Sequence, residues 1–520
     1  MPAEILTTYE VEKPSHECGL GLIYSFGKQN LQSDLFKIGH SLQHRGQNGA
    51  GVVTDSGFRV TGAGLLKDAI DPHDVESEGE NNWALIHLRY GTSGGYGQEN
   101  MQPVEVEIKG QKVHVAVNGN TPNESRLRKY LNVPVSDHAS DTVLAAHTLS
   151  AIEADTMDER VLRFAQLPEI AASANNMIIG SGDTVYVVRD QFGVHPLVVG
   201  DYRENEGIVI ASETVALQKI GSQVLAEFPP GAILKISPQG TELLQERSPE
   251  EIHQQCMFEP AYFSSPNSRF PTKEGMSPHE WQSALQFRMR TGEIVAKEHS
   301  VPHADFVVGM PDSGVPFSTG LANGMKKPYY PSVIRSHYNG EEEITRTFMQ
   351  DEKMAGIAAL VKGKLMPVVD PRLWKDKVVV IGDDSLVRGN TSKVVTRMLR
   401  QLGVKEIHWR FGFPPVRWPC HLGVSFRSLG ELIAVQMGND WEKIAEEIGA
   451  DSVAFVSNVG IIQAARECEV EDIVIPDDSR EIFRANGYCG GCTTGVYPIM
   501  PEGTIYRSSK KTIAMNGQII

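Results

Sequence analysis

The chain is short of cysteine, of positive charge and of long apolar runs, and each shortage excludes a class of protein. Six cysteines in 520 residues cannot form a disulfide scaffold, so a reducing compartment is expected. A formal net charge of −16 argues against a broad surface for nucleic acid or anionic membranes. No apolar run approaches the roughly 18 residues of a membrane span. A cytoplasmic globular protein is therefore expected.

The length and the first residues narrow this expectation further. A chain of this size holds two or more domains, and its 41% hydrophobic and 22% charged residues are ordinary for globular proteins. Residues 1–17 carry four glutamates and no apolar core, so they do not form a secretory signal. This acidic leader needs another explanation.

One stretch, residues 378–392, has the order of a phosphate-binding strand, loop and helix. Four apolar, mostly β-branched residues predict a buried parallel strand, and Asp383 and Asp384 follow where the strand should end. A helix is predicted over residues 393–402. Between the two stand the loop residues Arg388, Gly389, Asn390, Thr391 and Ser392.

The chemistry of this junction suits a phosphorylated sugar. Backbone N–H groups and the helix dipole bind anions, and paired carboxylates suit the vicinal hydroxyls of a ribose. The simpler alternative is a βα turn with a solvated carboxylate pair. As an ordered set, the residues predict a phosphoribosyl ligand, and they resemble the 5-phosphoribosyl-1-pyrophosphate (PRPP) loop of type I phosphoribosyltransferases.

The first half of the chain alternates short apolar strands with glycine and with helical stretches. Strands gathered at both ends with helices inserted favour stacked sheets covered by helices over a single doubly wound sheet. The predicted strands are residues 18–24, 49–54, 83–90, 113–117, 185–190 and 207–212, and the predicted helices are 33–43, 124–131 and 141–154.

Polar clusters lie at the ends of these predicted strands. Each could be ordinary turn or cap chemistry, and a lone buried cysteine is more often inert than reactive. They are Cys18-Gly19, residues 44–47, 89–94 and 118–120, and Ser140-Asp141-Thr142. As an ordered set, from Cys18 to about Gln245, they resemble the class II glutamine amidotransferases, which are N-terminal-nucleophile hydrolases with an αββα sandwich.

The resemblance implies a catalytic role for Cys18. Glutamine hydrolysis requires a nucleophile, a base and donors for the oxyanion, and a terminal α-amine with a pKa near ~7.7–8.0 can be the base of a cysteine. Cys18 would have to become the first residue, which implies cleavage after Glu17 and makes residues 1–17 a propeptide. Asn118 and the Gly119 N–H match the family's oxyanion donors.

The same resemblance implies the contacts of the glutamine substrate. Arg45 or Arg89 would grip its α-carboxylate, with the family pattern favouring Arg89, and Asp141 would hold its α-ammonium. The chain departs from the family at Val117 and Val143, where His and Glu are common. Neither position is needed for hydrolysis as described.

A second strand-to-loop junction precedes the first in the chain. Residues 306–310 are apolar and lead into Asp312, Ser313 and Gly314, which could cradle a pyrophosphate, although Pro-Asp-Ser-Gly is also an ordinary type I turn. Alternating strands and helices with ligand loops at strand ends indicate an open, mostly parallel sheet. A helix is predicted over residues 281–298.

Together the two halves resemble the glutamine PRPP amidotransferases, from Cys18 to about Pro498. The resemblance implies that ammonia from glutamine displaces pyrophosphate from PRPP, giving 5-phosphoribosylamine in the first step of purine synthesis. Ser313, Asp383 and Asp384 would hold the Mg²⁺ that this reaction uses. The implied domains are a propeptide (1–17), a glutaminase domain (18–255), a phosphoribosyltransferase domain (256–465) and a C-terminal segment (466–520).

Four cysteines, Cys256, Cys420, Cys489 and Cys492, match the [4Fe–4S] ligands of one branch of that family. Four thiolates are the count that such a cluster requires, and the Cys-x-x-Cys pair supplies two adjacent ones. Zinc also accepts four sulfurs, and a redox pair is a further alternative. The resemblance favours iron and sulfur, and it leaves Cys468 as a plain thiol.

Two alternatives to this function stay open. Residues 334–360, expected to close over PRPP, insert the acidic Glu341 to Glu343 and lack the family's basic residues. The simpler account, which is favoured, is that the inserted acids form a solvated loop tip. The other is a specialised paralogue with a different ribosyl donor or acceptor. A PRPP-sensing regulator without turnover is the other alternative, although sensing needs no Cys18 nucleophile. A homo-oligomer, dimer or tetramer, is expected.

Overall fold

The computed structural model describes residues 18–90, 97–122, 124–131, 136, 139–246, 253–273, 275–335, 365–424, 428–499, 505–507 and 512–514. The predicted propeptide and residues 336–360 of the segment expected to close over PRPP lie outside these ranges. Within them, no helix has both the length and the apolar character needed to cross a membrane.

Two antiparallel sheets stack in the first half of the chain. One has seven strands, in the spatial order Val224–Glu227, Val198–Tyr202, Gly207–Ala211, Gly19–Gln29, Asn81–Arg89, Gly49–Thr54 and Arg59–Ala63. The other has six, in the order Gly240–Gln245, Ile233–Ser237, Thr184–Val188, Ala174–Ser181, Gln111–Asn120 and Val104–Ile108.

The Gly19–Gln29 strand shows why the sheets stack. Side chains alternate between its faces, so Leu20, Leu22 and Tyr24 pack with residues of the second sheet, whereas Ile23 packs against helices. The outer face of the first sheet is covered by helices Gln32–Leu42, Leu66–Ala69, Pro72–Glu76 and Thr214–Lys219. That of the second is covered by Glu124–Tyr130, Asp141–Ala151, Met157–Ala165 and Pro168–Ala171. The predicted αββα sandwich is confirmed.

Four parallel strands form the sheet of the second half, in the order Phe306–Gly309, Val378–Asp383, Glu406–Phe411 and Ser452–Phe455. Parallel strands need crossover connections, which place apolar helices on both faces. Here two separate clusters of buried residues cover the two faces. The helices of this half are Ala284–Glu298, Gly314–Met325, Pro371–Trp374, Asn390–Gln401, Ile433–Gln436, Trp441–Ile448, Asn458–Arg466, Ile482–Ala485 and Gly491–Thr494. The predicted open parallel sheet is confirmed.

Short strand pairs complete the described fold. They are Gln255–Cys256 with Tyr488–Cys489, Arg269–Phe270 with Gln282–Ser283, Val333–Arg335 with Leu365–Pro367, and Ile505–Arg507 with Thr512–Ala514. The first pair is parallel and joins the segment between the two halves to the C-terminal segment. It also spans the predicted boundary between residues 255 and 256.

Two predicted helix starts were each wrong by three residues, in opposite directions. The helix predicted from residue 281 begins at Ala284, because Ser283 and Gln286 form a capping box. The helix predicted from residue 393 begins at Asn390, since Gly389, with φ +82°, is its N-cap. Because this helix begins earlier than predicted, Thr391 and Ser392 lie in its first turn.

Candidate active site

Cys18 directly precedes the central strand of the seven-stranded sheet. The Tyr90 N–H donates to Cys18 Sγ at 3.4 Å, and Arg45 Nε donates to the Cys18 carbonyl oxygen at 3.1 Å. Burial raises the pKa of the thiol to about 11; Arg89 and Arg45 act to lower it, and Asp141 acts to raise it. The thiol is therefore protonated at neutral pH and needs a base before it can attack a carbonyl group.

Asn118 and Gly119 lie near the end of the Gln111–Asn120 strand. Asn118 is fully buried, and neither Nδ2 nor Oδ1 has a hydrogen-bond partner within the described part of the chain. Gly119 has φ +142°, and a Cβ there would lie 1.8 Å from the Ala174 carbonyl oxygen. Because an unpaired buried amide costs about 1–3 kcal/mol, this one is best explained as a donor kept for a ligand.

His87 connects the ends of the two sheets that carry these groups. It is the Cα partner of Leu20 in the neighbouring strand, and its Nε2 donates to the Val117 carbonyl oxygen at 3.2 Å. Burial lowers the pKa of His87 to about 3, so the ring is neutral. Because Val117 directly precedes Asn118, this hydrogen bond holds Asn118 near the end of the first sheet where Cys18 lies. No sequence motif singles out His87; the available signal is its position two residues before Arg89.

The two candidate arginines have different surroundings. Arg45 Nη1 lies 2.6 Å from Glu213 and Nη2 lies 2.8 Å from Glu259, with all three side chains almost completely buried. Two carboxylates therefore surround Arg45 and more than balance its single positive charge. Arg89 is 3% exposed and lies close enough to Cys18 to lower the pKa of its thiol. Arg89 is the stronger candidate for a substrate carboxylate.

Asp141 lies at the start of the Asp141–Ala151 helix, whose N-cap is Ser140. Its Oδ2 accepts from the Thr121 N–H at 3.1 Å and its Oδ1 from the Thr142 N–H at 2.9 Å. These bonds fix the carboxylate, which is 6% exposed, near the thiol whose pKa it raises.

The predicted phosphate loop leaves the Val378–Asp383 strand at the carboxyl edge of the parallel sheet. Asp383 and Asp384 are 5% and 4% exposed. No side chain of the described residues caps the helix that begins at Asn390, and a small cavity is lined by residues 383–392. Uncapped N–H groups beside a cavity form an anion site.

The second predicted loop lies directly beside the first. The Met310 N–H donates to the Gly382 carbonyl oxygen at 2.9 Å. Gly314 approaches so closely that a Cβ there would lie 2.9 Å from Asp383 Oδ1. Ser313 is the N-cap of the helix that begins at Gly314. The structure thus places the loop that carries Ser313 beside Asp383.

Two other predicted loop residues form ion pairs. Asp312 is exposed, and its Oδ2 lies 2.7 Å from Arg335 Nη1. Arg388 Nε donates to Glu431 at 2.9 Å. Contacts of Asp312 and Arg388 with PRPP stay predictions.

The segment 256–263 reaches the Cys18 site at one end. Its Glu259 pairs with Arg45, which bonds the Cys18 carbonyl oxygen. His195 Nδ1 lies 3.6 Å from the same carboxylate, and His195 Nε2 donates to the Leu422 carbonyl oxygen at 2.7 Å. Residues of the first half, the joining segment and the second half thus meet here.

The same segment also packs near the strand that carries Asp383. The Phe258 ring packs edge-on against Phe413, with ring centroids 4.6 Å apart. Phe413 follows Gly412, whose N–H donates to the Asp383 carbonyl oxygen at 3.0 Å. One short segment is therefore linked to the Cys18 site through Arg45 and to Asp383 through Phe413 and Gly412.

The four predicted cysteine ligands lie close together at the start of this segment. Cys256 and Cys489 are Cα partners in the parallel pair. Burial, Cys420 and Cys489 raise the pKa of Cys492 well above its ordinary value. The Leu422 N–H donates to Cys420 Sγ at 3.4 Å, and all four thiols are free of disulfides. Four thiols in one place fit a thiolate-bound metal or cluster.

These features define a class of protein, a glutamine amidotransferase joined to a phosphoribosyltransferase. Residues 95–219 match the family model of the glutamine amidotransferase domain, and residues 284–409 match that of the phosphoribosyl transferase domain. The two matches fall in the two halves that the fold separates.

Whole-chain relatives agree with both halves. The chain is 35% identical over 497 residues to amidophosphoribosyltransferase 2, chloroplastic, of Arabidopsis thaliana, covering 94% of this chain and 81% of the relative. It is 32% identical over 530 residues to amidophosphoribosyltransferase of Homo sapiens, covering 94% and 98%. The B. subtilis glutamine PRPP amidotransferase, solved with ADP and GMP, superposes with a TM-score of 0.77 at 30% identity, covering 94% and 99%. The chain belongs to the amidophosphoribosyltransferase family.

Proposed function

We propose that this protein makes 5-phosphoribosylamine from glutamine and PRPP, the first step of purine synthesis. The proposal rests on the contacts of the segment 256–263. Its Glu259 contacts the Cys18 site through Arg45, and its Phe258 packs beside the end of the strand that carries Asp383.

The first reaction is hydrolysis of glutamine. Cys18 Sγ attacks the amide carbon, its proton moves to the base, and Asn118 Nδ2 and the Gly119 N–H stabilise the oxyanion. The C–N bond then breaks and releases ammonia, and water hydrolyses the thioester to glutamate. Arg89 holds the α-carboxylate of the substrate and Asp141 its α-ammonium.

The base in this scheme is the α-amine of Cys18, freed by cleavage after Glu17. The raised pKa of the thiol, about 11, leaves little thiolate at neutral pH unless a base acts on it. Intact mass measurement tests this step, because the active protein should lack residues 1–17.

The second reaction is displacement of pyrophosphate from PRPP. Ammonia attacks C1 of the ribose as the C1–O bond to pyrophosphate breaks. The N–H groups at residues 390–392 hold the 5-phosphate, and Asp383 and Asp384 hold the ribose hydroxyls. The oxygen set of Ser313, Asp383 and Asp384 fits Mg²⁺, which would neutralise the charge of the leaving pyrophosphate.

Ammonia must cross between the two sites without meeting water, where it becomes unreactive ammonium. Phe258, Tyr262, Phe263 and Phe413 are buried, and their rings pack on one another next to Glu259. We assign this cluster as the apolar wall of the path, since an apolar surface excludes water.

The four thiols fit a [4Fe–4S] cluster, which we propose over zinc. They are buried or half-buried at the junction of the joining segment and the C-terminal segment, far along the chain from Cys18. A cluster there would tie these segments together and take no part in either reaction. A cytoplasmic location and a homo-oligomer stay predictions, and the plant relative is named chloroplastic.

The decisive experiment measures pyrophosphate released from PRPP, with glutamine or ammonium as nitrogen source. Cys18→Ala should lose only the glutamine-dependent reaction, whereas Asp384→Asn should lose both. Glutaminase activity that is independent of PRPP, with no pyrophosphate released under any condition, would refute the proposal.

A further inference from the structure

A second group of metal-ligating side chains lies at the opposite edge of the parallel sheet from Asp383. His303 precedes the first strand of this sheet, and Glu406 and His408 begin the third. Asp383 is at the carboxyl end of the second strand. The group is therefore separate from the PRPP site.

Each of the three side chains brings one ligand atom into a small space. His303 Nε2 lies 2.9 Å and His408 Nε2 lies 3.4 Å from the same oxygen, Glu406 Oε2, and all three atoms are within 4.8 Å of one another. A tetrahedral zinc ion with bonds of about 2.0–2.2 Å separates its ligand atoms by roughly 3.3–3.5 Å. Small side-chain rotations would bring these atoms to that spacing.

Neighbouring contacts orient two of the ligands. His408 Nδ1 lies 2.8 Å from the hydroxyl of Ser452, its Cα partner on the adjacent strand. A hydrogen bond at one ring nitrogen orients the ring and leaves the other for a metal. Lys405 Nζ lies 3.4 Å from the second carboxylate oxygen, Glu406 Oε1, so Oε2 remains turned toward the histidines.

The surroundings leave room for a cation. Arg410, a buried cation close enough to act on His408, donates from Nε to the His299 carbonyl oxygen and from Nη1 to the Ser452 hydroxyl. The His303 side chain is 60% exposed and that of His408 is 9% exposed, so an ion can enter from solvent and rest against the sheet.

We propose that His303, Glu406 and His408 form a zinc site that clips the segment before the first strand to the third strand. Two imidazoles and one carboxylate suit Zn²⁺ better than Mg²⁺ or Ca²⁺, which prefer oxygen ligands. Water completes the coordination at the exposed side. The position of the site, at the edge away from PRPP, gives it a structural role.

Zinc titration of the purified, tag-free protein by calorimetry tests the proposal. His303→Ala and Glu406→Gln each remove one ligand at an accessible side chain. His73→Ala is the matched control, because His73 also pairs with a glutamate, Glu76 at 3.3 Å, but has no third ligand among the described residues. The four-cysteine site is the same in all these proteins.

Relative to wild type, His303→Ala and Glu406→Gln should each lose one bound zinc per chain or bind it at least about tenfold more weakly. His73→Ala should bind zinc as wild type does, and ammonia-dependent synthesis should be equal in all four proteins. Equal zinc binding in all four, or an equal loss in His73→Ala, would overturn the site. Loss of ammonia-dependent synthesis in the ligand variants would overturn its structural role.

Discussion

Glu259 Oε1 lies 2.8 Å from Arg45 Nη2, and both side chains are completely buried although 214 residues separate them in the chain. Arg45 also donates to Glu213 and to the carbonyl oxygen of Cys18. Glu259 belongs to the segment 256–263, which joins the two halves. The pair therefore connects this joining segment directly to the backbone of the proposed nucleophile.

Replacing Glu259 by Ala should impair the use of glutamine more than the use of ammonia. Removing one partner of a buried ion pair costs about 3–5 kcal/mol, and a shift of about 1 Å at the nucleophile can cost roughly 100-fold in rate. The expected result is a fall of about 10- to 100-fold in the ratio of glutamine-dependent to ammonia-dependent synthesis. Steady-state rates with each nitrogen source measure this ratio.

The control for this substitution is an ion pair at the surface of the same domain. Arg203→Gln breaks the pair with Asp34, at 3.0 Å, in which the arginine side chain is 48% exposed. Exposed pairs contribute about 0–1 kcal/mol, so neither the ratio nor the stability should change measurably. If both variants lower the ratio equally, the use of glutamine does not depend specifically on the pair between Glu259 and Arg45.

The pKa of Cys18 should move in opposite directions when its two charged neighbours are removed. Arg89 favours the thiolate and Asp141 disfavours it, so Arg89→Gln should raise the pKa above its value of about 11 and Asp141→Asn should lower it. At pH 8 the thiol reacts in proportion to its thiolate fraction. Alkylation by iodoacetamide should therefore be slower in the first variant and faster in the second.

Peptide mass spectrometry separates Cys18 from the other cysteines in that experiment. Cys468 is the internal control, because its pKa shift arises from burial and from charged neighbours that neither variant touches. Its alkylation rate should be equal in all three proteins. A shift of Cys18 in the same direction in both variants would contradict the assigned charges.

Asn118→Ala should remove one donor from the proposed oxyanion site. Loss of one such donor lowers kcat by about 10²–10³-fold, and the effect on KM should be small because the donor acts on the oxyanion that forms during reaction. Gly119→Ala should be more severe, since its Cβ would lie 1.8 Å from the Ala174 carbonyl oxygen. Glutaminase assays measure both effects.

Two controls accompany these variants. Ammonia-dependent synthesis should survive Asn118→Ala, because that reaction bypasses the oxyanion. Gly27→Ala should leave both activities unchanged, since a Cβ at Gly27 meets nothing within 4 Å. Equal loss of both reactions in Asn118→Ala would indicate a structural role for this amide.

The strand-loop-helix at residues 378–392 could be predicted because its signals are local. A β-branched run, two carboxylates and a glycine stand next to one another in the chain, and the structure places them in the predicted order. The helix start was missed because Gly389 caps through its backbone conformation, with φ +82°, and not through a side chain.

The partners of Arg45 could not be predicted, because they are distant from it in the chain. Glu213 and Glu259 lie 168 and 214 residues further along the chain, and no local pattern reports such a contact. From the residue types alone, Arg45 and Arg89 are equally suited to bind the substrate α-carboxylate. Only the family resemblance favours Arg89. Burial of Arg45 between two carboxylates adds the physical argument for Arg89.

Gly389→Ala should weaken the PRPP site while sparing glutamine hydrolysis. Left-handed backbone costs a residue with a Cβ about 1–2 kcal/mol, and the added Cβ would lie 2.6 Å from Ile433 Cδ1. At about 1.4 kcal/mol per factor of ten, the KM for PRPP should rise about tenfold or more. Synthesis with either nitrogen source should fall, and Gly430→Ala, where a Cβ meets nothing within 4 Å, is the matched control.

Cys489→Ser should empty the four-thiol site, because the [4Fe–4S] cluster needs four thiolates. Cys489 lies beside Cys256, its Cα partner in the parallel strand pair. Iron and sulfide analysis of anaerobically purified protein should find about four irons per chain in wild type and nearly none in this variant. Cys468→Ser is the control that should keep its iron. Zinc without iron in the wild type, with one zinc per chain lost in Cys489→Ser and kept in Cys468→Ser, would replace the cluster by the alternative metal. Equal iron in both variants would exclude Cys489 as a ligand.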